Sequence, residues 1–166
     1  MALANASAAA SISVNGDSTG TVSSAFKALF TPSIAFTIGT GSNGVQKAAG
    51  GVLSLSANTP VTIDLTNTTA TTGIVGDATF TAVKLIVIEN SGTANTNKPL
   101  TIGNAATNQF QGRIAANTTV TQQIGAYPYV DHNPESAGYT VNSSVKSFKL
   151  DPGANALTVN ITIVGN

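Results

Sequence analysis

The sequence predicts an all-β protein whose strands form an antiparallel sandwich or barrel. Apolar and polar residues alternate in short segments along the chain, and this period of two is typical of strands that bury one face. Turn-forming residues separate the segments at intervals of about 8–12 residues. No segment sustains a helical period, because the nearest candidate, SSAFKALF, is short and stops before Thr31-Pro32.

Five segments in the first half of the chain alternate in this way and are predicted strands. They are SISVN at 11–15, SAFKALF at 24–30, SIAFTIG at 33–39, VLSLS at 52–56 and VTIDLT at 61–66. Asn15-Gly16, Asn43-Gly44 and Gly50-Gly51 have the composition of turns. The glycine-rich segment 39–51 is therefore expected to be a long loop.

Six further strands are predicted in the second half. They are TFTAVKLIVIEN at 79–90, LTIG at 100–103, NTTVTQQIG at 117–125, GYTVN at 138–142, SVKSFKL at 144–150 and ALTVNITIVG at 156–165. Turn chemistry recurs at Ser91-Gly92, Asn133-Pro134 and Asp151-Pro152-Gly153. Segments 91–97 and 126–137 are expected to be long loops, where binding residues commonly lie.

The segment 79–90 is the most hydrophobic run of the chain and is apolar on both faces. As a strand, it separates its side chains into two sets, Phe80, Ala82, Lys84, Ile86 and Ile88 against Val83, Leu85 and Val87. One set is expected between the sheets, and the other needs a second cover, from a packed arm or a neighbouring subunit. Lys84 is expected to lay its stem on apolar surface while its ammonium reaches solvent or an acidic partner.

A chain of 166 residues is long enough for one domain and too short for two. We expect residues 1–10 to be an arm that is mobile or ordered at an interface, and residues 11–166 to be a single domain. Charged residues are 8% of the chain, against about 25% in an average soluble protein, and seven basic residues balance seven acidic ones. This neutrality favours self-association and provides no field to attract nucleic acid or a charged membrane.

The absence of cysteine excludes disulfides, thiolate metal sites and a cysteine nucleophile. The N-terminus lacks the charged and apolar segments of a secretory signal, so no export is expected. With no tryptophan and three tyrosines, the chain has few residues for an aromatic platform that stacks on sugars.

Gly39, Gly41 and Gly44 match the G-x-G-x-x-G fingerprint of dinucleotide sites, with Asp64 about 20 residues further on. The fingerprint needs a helix that begins at the last glycine, and here VQKAAGG ends at two glycines. A flexible loop between strands is therefore the favoured interpretation.

The only histidine, His132, lies in the predicted loop 126–137 beside Asp131, Glu135 and Ser136. These residues include possible metal ligands and parts of a hydrolase site. Polar residues around a proline are also ordinary turn formers, and that interpretation is favoured. The sequence thus predicts no catalytic, cofactor-binding or metal site, and no enzyme.

The order of segments over about residues 60–166 carries a further pattern. Its parts are Asp64-Leu65 before a turn, V-K-x-I-x-I-x-N from Val83 to Asn90, Leu100 to Gly103 with Asn108 and Phe110, Gly138 to Val141, and Val159 to Gly165. This layout resembles small phage-type capsid and virus-like-particle proteins with a single jelly roll. Their P-G-G before the penultimate apolar strand is replaced by TQQIGAYPYVDHNPESA, which suggests a specialised contact or surface decoration at 126–137.

The resemblance implies a single jelly roll of about eight strands in two antiparallel sheets, which self-assembles into a closed shell. We therefore expect a structural capsid protein without catalysis or cofactors, which forms an icosahedral homo-oligomer without specific nucleic-acid binding. Its expected location is a virion or virus-like particle assembled in the cytoplasm. The alternative is a phage decoration, head-fibre or tail-associated β-sandwich that forms a small oligomer, and a carbohydrate-binding module is third.

Overall fold

The computed structural model describes the backbone of most of the chain. The described residues are 6–9, 12–15, 27–30, 33–39, 41–42, 44–90, 98–103, 105–112, 119–124, 129–133, 135 and 137–166. Within them the structure is nearly all β, with one short 3₁₀ turn at Thr68–Ala70 and no α-helix. The predicted all-β class is confirmed, and no helix among these residues is long and apolar enough to cross a membrane.

Fifteen strands occur in the described residues. They are β1 (Ala6–Ala9), β2 (Ile12–Asn15), β3 (Lys27–Phe30), β4 (Ser33–Ile38), β5 (Gly44–Val45), β6 (Lys47–Leu55), β7 (Val61–Asp64), β8 (Ile74–Gly76), β9 (Ala82–Asn90), β10 (Lys98–Gly103), β11 (Thr119–Ile124), β12 (Tyr129–His132), β13 (Tyr139–Thr140), β14 (Ser147–Asp151) and β15 (Leu157–Gly165). Every segment predicted as a strand contains one of them, or part of one.

Two antiparallel sheets form a sandwich-like arrangement. One has the strand order β12-β9-β15-β6-β8, with β13 also paired to β9, and the other has the order β11-β10-β14-β7. Strands from the first half of the sandwich pair with strands from the second half in reverse order: β6 with β15, β7 with β14, β9 with β12 and β10 with β11. Successive pairs in this series alternate between the two sheets.

The core lies between these sheets and draws on both. Alternating residues of each strand point inward, which is the period of two seen in the sequence. The fully buried side chains include Leu53, Leu55, Ile63, Leu100, Ile102, Leu150, Val159 and Ile161. The burial of these inward side chains is the main stabilising term of the sandwich.

Strand β9 departs from simple alternation at Lys84. The register against β15 shifts between Val164, which lies opposite Leu85, and Gly165, which lies opposite Val83. Lys84 is the extra residue of this β-bulge, and a bulge lets side chains on its two sides change face. Val83 consequently packs in the same core as Ile86, although the sequence predicted opposite faces for these two residues.

The N-terminal strands lie outside the sandwich order. Strand β1 pairs with β4, which pairs in parallel with β5, and β2 pairs with β3. Residues Ala6–Ala9 of the predicted arm thus form a strand that lies opposite Ser33–Phe36.

Two predicted loops contain strands. Segment 39–51 includes β5 and the first half of β6, and the predicted turn at Gly50-Gly51 is wrong because both glycines lie within β6. A Cβ on Gly50 would lie 2.5 Å from the Ile161 carbonyl oxygen, so the glycines permit close approach of neighbouring strands. Segment 126–137 includes β12, and the predicted loop at 91–97 lies outside the described residues.

Candidate functional site

The candidate metal or hydrolase residues around His132 do not converge. Asp131 and His132 are successive residues of β12, so their side chains point to opposite faces of the sheet. Asp131 is 1% exposed and accepts a hydrogen bond of 3.3 Å from the Tyr129 hydroxyl. His132 is half-buried and Glu135 is exposed, while Ser136 lies outside the described residues.

Among the described residues, no three His, Cys, Asp or Glu side chains lie close enough to hold a metal ion. Burial lowers the pKa of His132, and the nearby Asp131 carboxylate opposes that shift. With its pKa below 6.5, the His132 imidazole is mostly uncharged at neutral pH.

The glycines of the G-x-G-x-x-G match form a tight turn instead of a nucleotide loop. The Gly44 N–H donates to the Gly41 carbonyl oxygen at 2.7 Å. Strands β5 and β6 follow this turn, so no helix N-terminus is available for a pyrophosphate. Asp64, the acidic residue of the match, lies at the end of β7 and pairs with Lys146 at 2.6 Å.

Lys84 connects this turn to the sandwich. Its side chain is 0% exposed, and its Nζ donates a hydrogen bond of 2.7 Å to the Gly41 carbonyl oxygen. Burial lowers the pKa of Lys84. The expectation that its ammonium reaches solvent or an acidic partner is therefore wrong: the bulge directs Lys84 to the backbone of its own chain.

A small second apolar cluster lies on the outer face of the larger sheet. It contains Val45 of β5, Leu85 of β9 and Val164 of β15, all buried, with Val87 and Val130 packed beside them. The Gln46 N–H donates to the Gly165 carbonyl oxygen at 2.9 Å and fixes β5 in place. Strand β5 thus supplies part of the second cover that the two-faced strand β9 requires.

The rest of that outer face is open and carries few charges, with Glu89 of β9 lying on it opposite Asn160. Val75 of β8 is 71% exposed and Val52 of β6 is 54% exposed, and they are the exposed large hydrophobic side chains among the residues whose burial the structure describes. Val52 falls in the outward, polar set of VLSLS, so alternation alone places this apolar side chain in water. Val75 lies in TTGIVGD, which has too short an alternation to predict a strand.

The outer face of the smaller sheet has the opposite character. Its outward residues include Asp64, Lys149 and Asp151, and Lys149 pairs with Asp151 at 3.4 Å. Thr62 lies opposite Lys149, and Thr101 lies opposite Asp151. One outer face is therefore polar and charged, as expected for a solvated sheet, and the other is partly covered and has few charges.

A cavity of about 390 Å³ lies between β6, β7 and the residues after the 3₁₀ turn. It is lined by Leu53, Ser54, Leu55, Pro60, Val61, Thr62, Ala70, Thr71 and Thr72. This lining contains no acid, base or histidine, so it provides no group for proton transfer or metal binding.

Five aromatic side chains whose surroundings the structure describes pack in or against the core. Phe80, Phe110, Phe148 and Tyr129 are buried, and Tyr139 is half-buried. Phe110 meets Tyr139 edge-on with ring centroids 5.8 Å apart. Rings packed in this way present no exposed platform for a sugar ring.

The motifs that carry the resemblance have structural roles. Asp64 accepts hydrogen bonds from the Thr66 backbone N–H and hydroxyl, and it thereby holds the turn that places Leu65 in the core. Asn108 has a positive φ of 53°, and its carbonyl oxygen accepts from the N–H groups of Lys146 and Ser147. These contacts fix turns and strand ends, and they bring no reactive groups together.

No protein-family model matches the chain, and comparison with curated proteins and with solved structures finds no significant match.

Proposed function

We propose that this chain is a structural protein with a single jelly-roll fold that self-assembles into a closed, capsid-like shell. The observation that carries the proposal is the strand pairing. Four pairs, β6 with β15, β7 with β14, β9 with β12 and β10 with β11, form one long antiparallel hairpin whose two arms run through the whole sandwich.

Wrapping such a hairpin so that successive pairs alternate between two sheets generates a jelly roll with its Greek-key connections. The orders β12-β9-β15-β6 and β11-β10-β14-β7 are those that this wrapping requires. Strand β8 adds a short edge to one sheet beyond the eight-strand pattern, and β13 shares β9 with β12.

Surface chemistry supports assembly over catalysis. The chain is neutral overall and has few charges, so copies do not repel one another at long range. Jelly rolls are common in viral capsids. A closed shell requires subunit contacts related by closed point-group symmetry. The chain offers one outer face with few charges and one with several, which allows one surface to meet neighbours while the other meets solvent.

A second candidate uses the same fold in a smaller assembly, such as a phage decoration, head-fibre or tail-associated protein. The same outer face with few charges would then serve a trimer or another small fixed oligomer. A carbohydrate-binding module is weaker, because the described aromatic side chains pack into the core.

Negative-stain electron microscopy and mass photometry of the purified full chain distinguish these candidates. We expect closed particles of uniform diameter and a mass of many subunits. A small oligomer of fixed mass would favour the second candidate, and a stable monomer at micromolar concentration would contradict both.

A further inference from the structure

We propose that the open part of the larger sheet's outer face is a contact between two copies of this chain, packed face to face around a two-fold axis. This inference rests on the proposed function, because it identifies a surface through which assembly occurs. We call the surface the valine face, and define it as the outward residues Gly50, Val52, Val75, Asn160 and Thr162 of β6, β8 and β15.

The residues of the valine face are neighbours on adjacent strands. Val75 lies opposite Gly50 in the β6–β8 register, and Val52 follows Gly50 by two residues on the same face. Because Gly50 has no side chain, nothing on β6 rises beside Val75. The two exposed valines therefore form one apolar strip across neighbouring strands.

The intramolecular cover ends where the valine face begins. On β15, Val164 is buried beneath Val45 of β5, whereas Thr162, the next outward residue, is exposed. The same sheet face thus changes from covered to open within two residues of one strand. A second copy that occupies the open part would extend the layer that β5 begins.

The charge pattern suits a second copy as the occupant. Outward residues of β8 and β15, and those of β6 after Lys47, include no charged side chain. In a two-fold contact the same surface of both copies meets itself. A patch with charges of one sign would therefore repel its copy, whereas an uncharged patch does not. Glu89 lies at the rim, where it accepts a hydrogen bond of 2.9 Å from Asn160.

The size of the valine face suits the apolar centre of such a contact. Three neighbouring strands and about six residues of strand length give roughly 14 by 20 Å of sheet. Stable interfaces bury about 800 Å² on each partner, with an apolar centre and a polar rim. The valine face provides the apolar centre, and the surrounding residues provide the rim.

The test combines charge insertion with cross-linking. Val52→Lys with Val75→Lys places two ammonium groups on each face, and four near one another in the contact. Both positions are exposed, so the fold is retained, as circular dichroism and thermal unfolding will show. We expect the apparent dissociation constant for self-association, measured by sedimentation velocity, to rise by about tenfold or more. Thr62→Glu is the control, because it adds a charge to the other outer face, opposite Lys149.

The cysteine-free chain permits a second measurement that does not depend on weakening the contact. Val75→Cys should form covalent dimers with a short bifunctional maleimide, whereas Thr62→Cys should not.

The outcomes separate this inference from the proposed shell. If the wild type forms particles, and the lysine variant assembles equally well without Val75→Cys cross-links, the shell stands and the valine face is not its contact. If the wild type forms only a dimer that the lysine variant dissociates, the contact stands and the shell does not. A wild-type monomer overturns both.

Discussion

Lys84 and Gly41 form a partly buried hydrogen bond of 2.7 Å between an ammonium group and a backbone carbonyl oxygen. Lys84 lies in the bulge of β9, and Gly41 precedes β5, so this bond joins the sandwich to the segment that covers its outer face. Burying an ammonium is costly unless acceptors compensate it. The bond therefore ties the covering segment to β9 through one lysine side chain.

The free energy of unfolding should depend on pH through Lys84. Burial lowers its pKa in the folded state below the usual 10.5, so between these two pKa values the unfolded chain binds more protons. Stability should therefore rise as pH rises through the folded pKa and level off near 10.5. Urea denaturation across this range should show a smaller rise for Lys84→Met. The control variant Lys98→Met should show the same rise as the wild type. An equal rise in Lys84→Met would contradict the assignment to Lys84.

His132 should produce a second pH dependence, on the acidic side of neutrality. Burial lowers its folded pKa below the usual 6.5, despite the opposing Asp131. The unfolded chain then binds more protons as pH falls through 6.5, so stability should decrease until pH passes below the folded pKa. Since the chain has one histidine, His132→Gln should remove this decrease. Thermal unfolding at a series of pH values tests it, and an unchanged profile in the variant would refute it.

Asp64 should stabilise the fold through its turn more than through its ion pair. Burial raises its pKa, but hydrogen bonds from Lys146 and Thr66 outweigh burial, so the pKa lies below the usual 3.8. This stabilisation should be present above pH 3.8 and disappear as pH falls through the folded pKa.

We expect Asp64→Ala to lower the free energy of unfolding by about 1–2 kcal/mol, because two hydrogen bonds from Thr66 are lost. Lys146→Met should cost less than about 1 kcal/mol, because both members of the ion pair are partly exposed. Urea denaturation at neutral pH measures both values. Equal losses in the two variants would show that the ion pair, and not the turn, is the main contribution.

Gly51 should tolerate no side chain. A Cβ there would collide with the Gly73 carbonyl oxygen next to β8, so Gly51→Ala must separate β6 from the edge of the sheet. We expect a loss of more than about 2 kcal/mol in the free energy of unfolding. Gly41→Ala is the matched control, since a Cβ at Gly41 has nothing within 4 Å. A loss at Gly51 no larger than that at Gly41 would contradict the close approach.

Local pattern was sufficient for the strands that bury one face. The alternation in ALTVNITIVG indicates that Leu157, Val159, Ile161 and Ile163 share the inward face of β15, and all four are buried in the core. The turn at Asp151-Pro152-Gly153 is also confirmed, with the Gly153 N–H bonded to the Asp151 carboxylate at 3.0 Å. These features depend on residues within a few positions of one another, so the sequence displays them directly.

Whether the polar residues around His132 form one site could be judged only from the fold. Four nearby polar residues suggested a cluster, but a strand in place of the predicted loop sends Asp131 and His132 to opposite faces. Strand β12 is short, and proline residues lie on both sides of it, so its pairing with β9 supplies the order that its own pattern does not indicate.

By itself, the sequence determined the all-β class, the inward set of the alternating strands and the neutral surface, because each follows from composition or from neighbouring residues. Only the tertiary structure decided the order of strands in the two sheets, the β-bulge that places Lys84 against the Gly41 carbonyl, and the strand β8 that brings Val75 beside Val52. Each of these depends on pairing between segments distant in the chain, where one residue of register changes the face of every side chain.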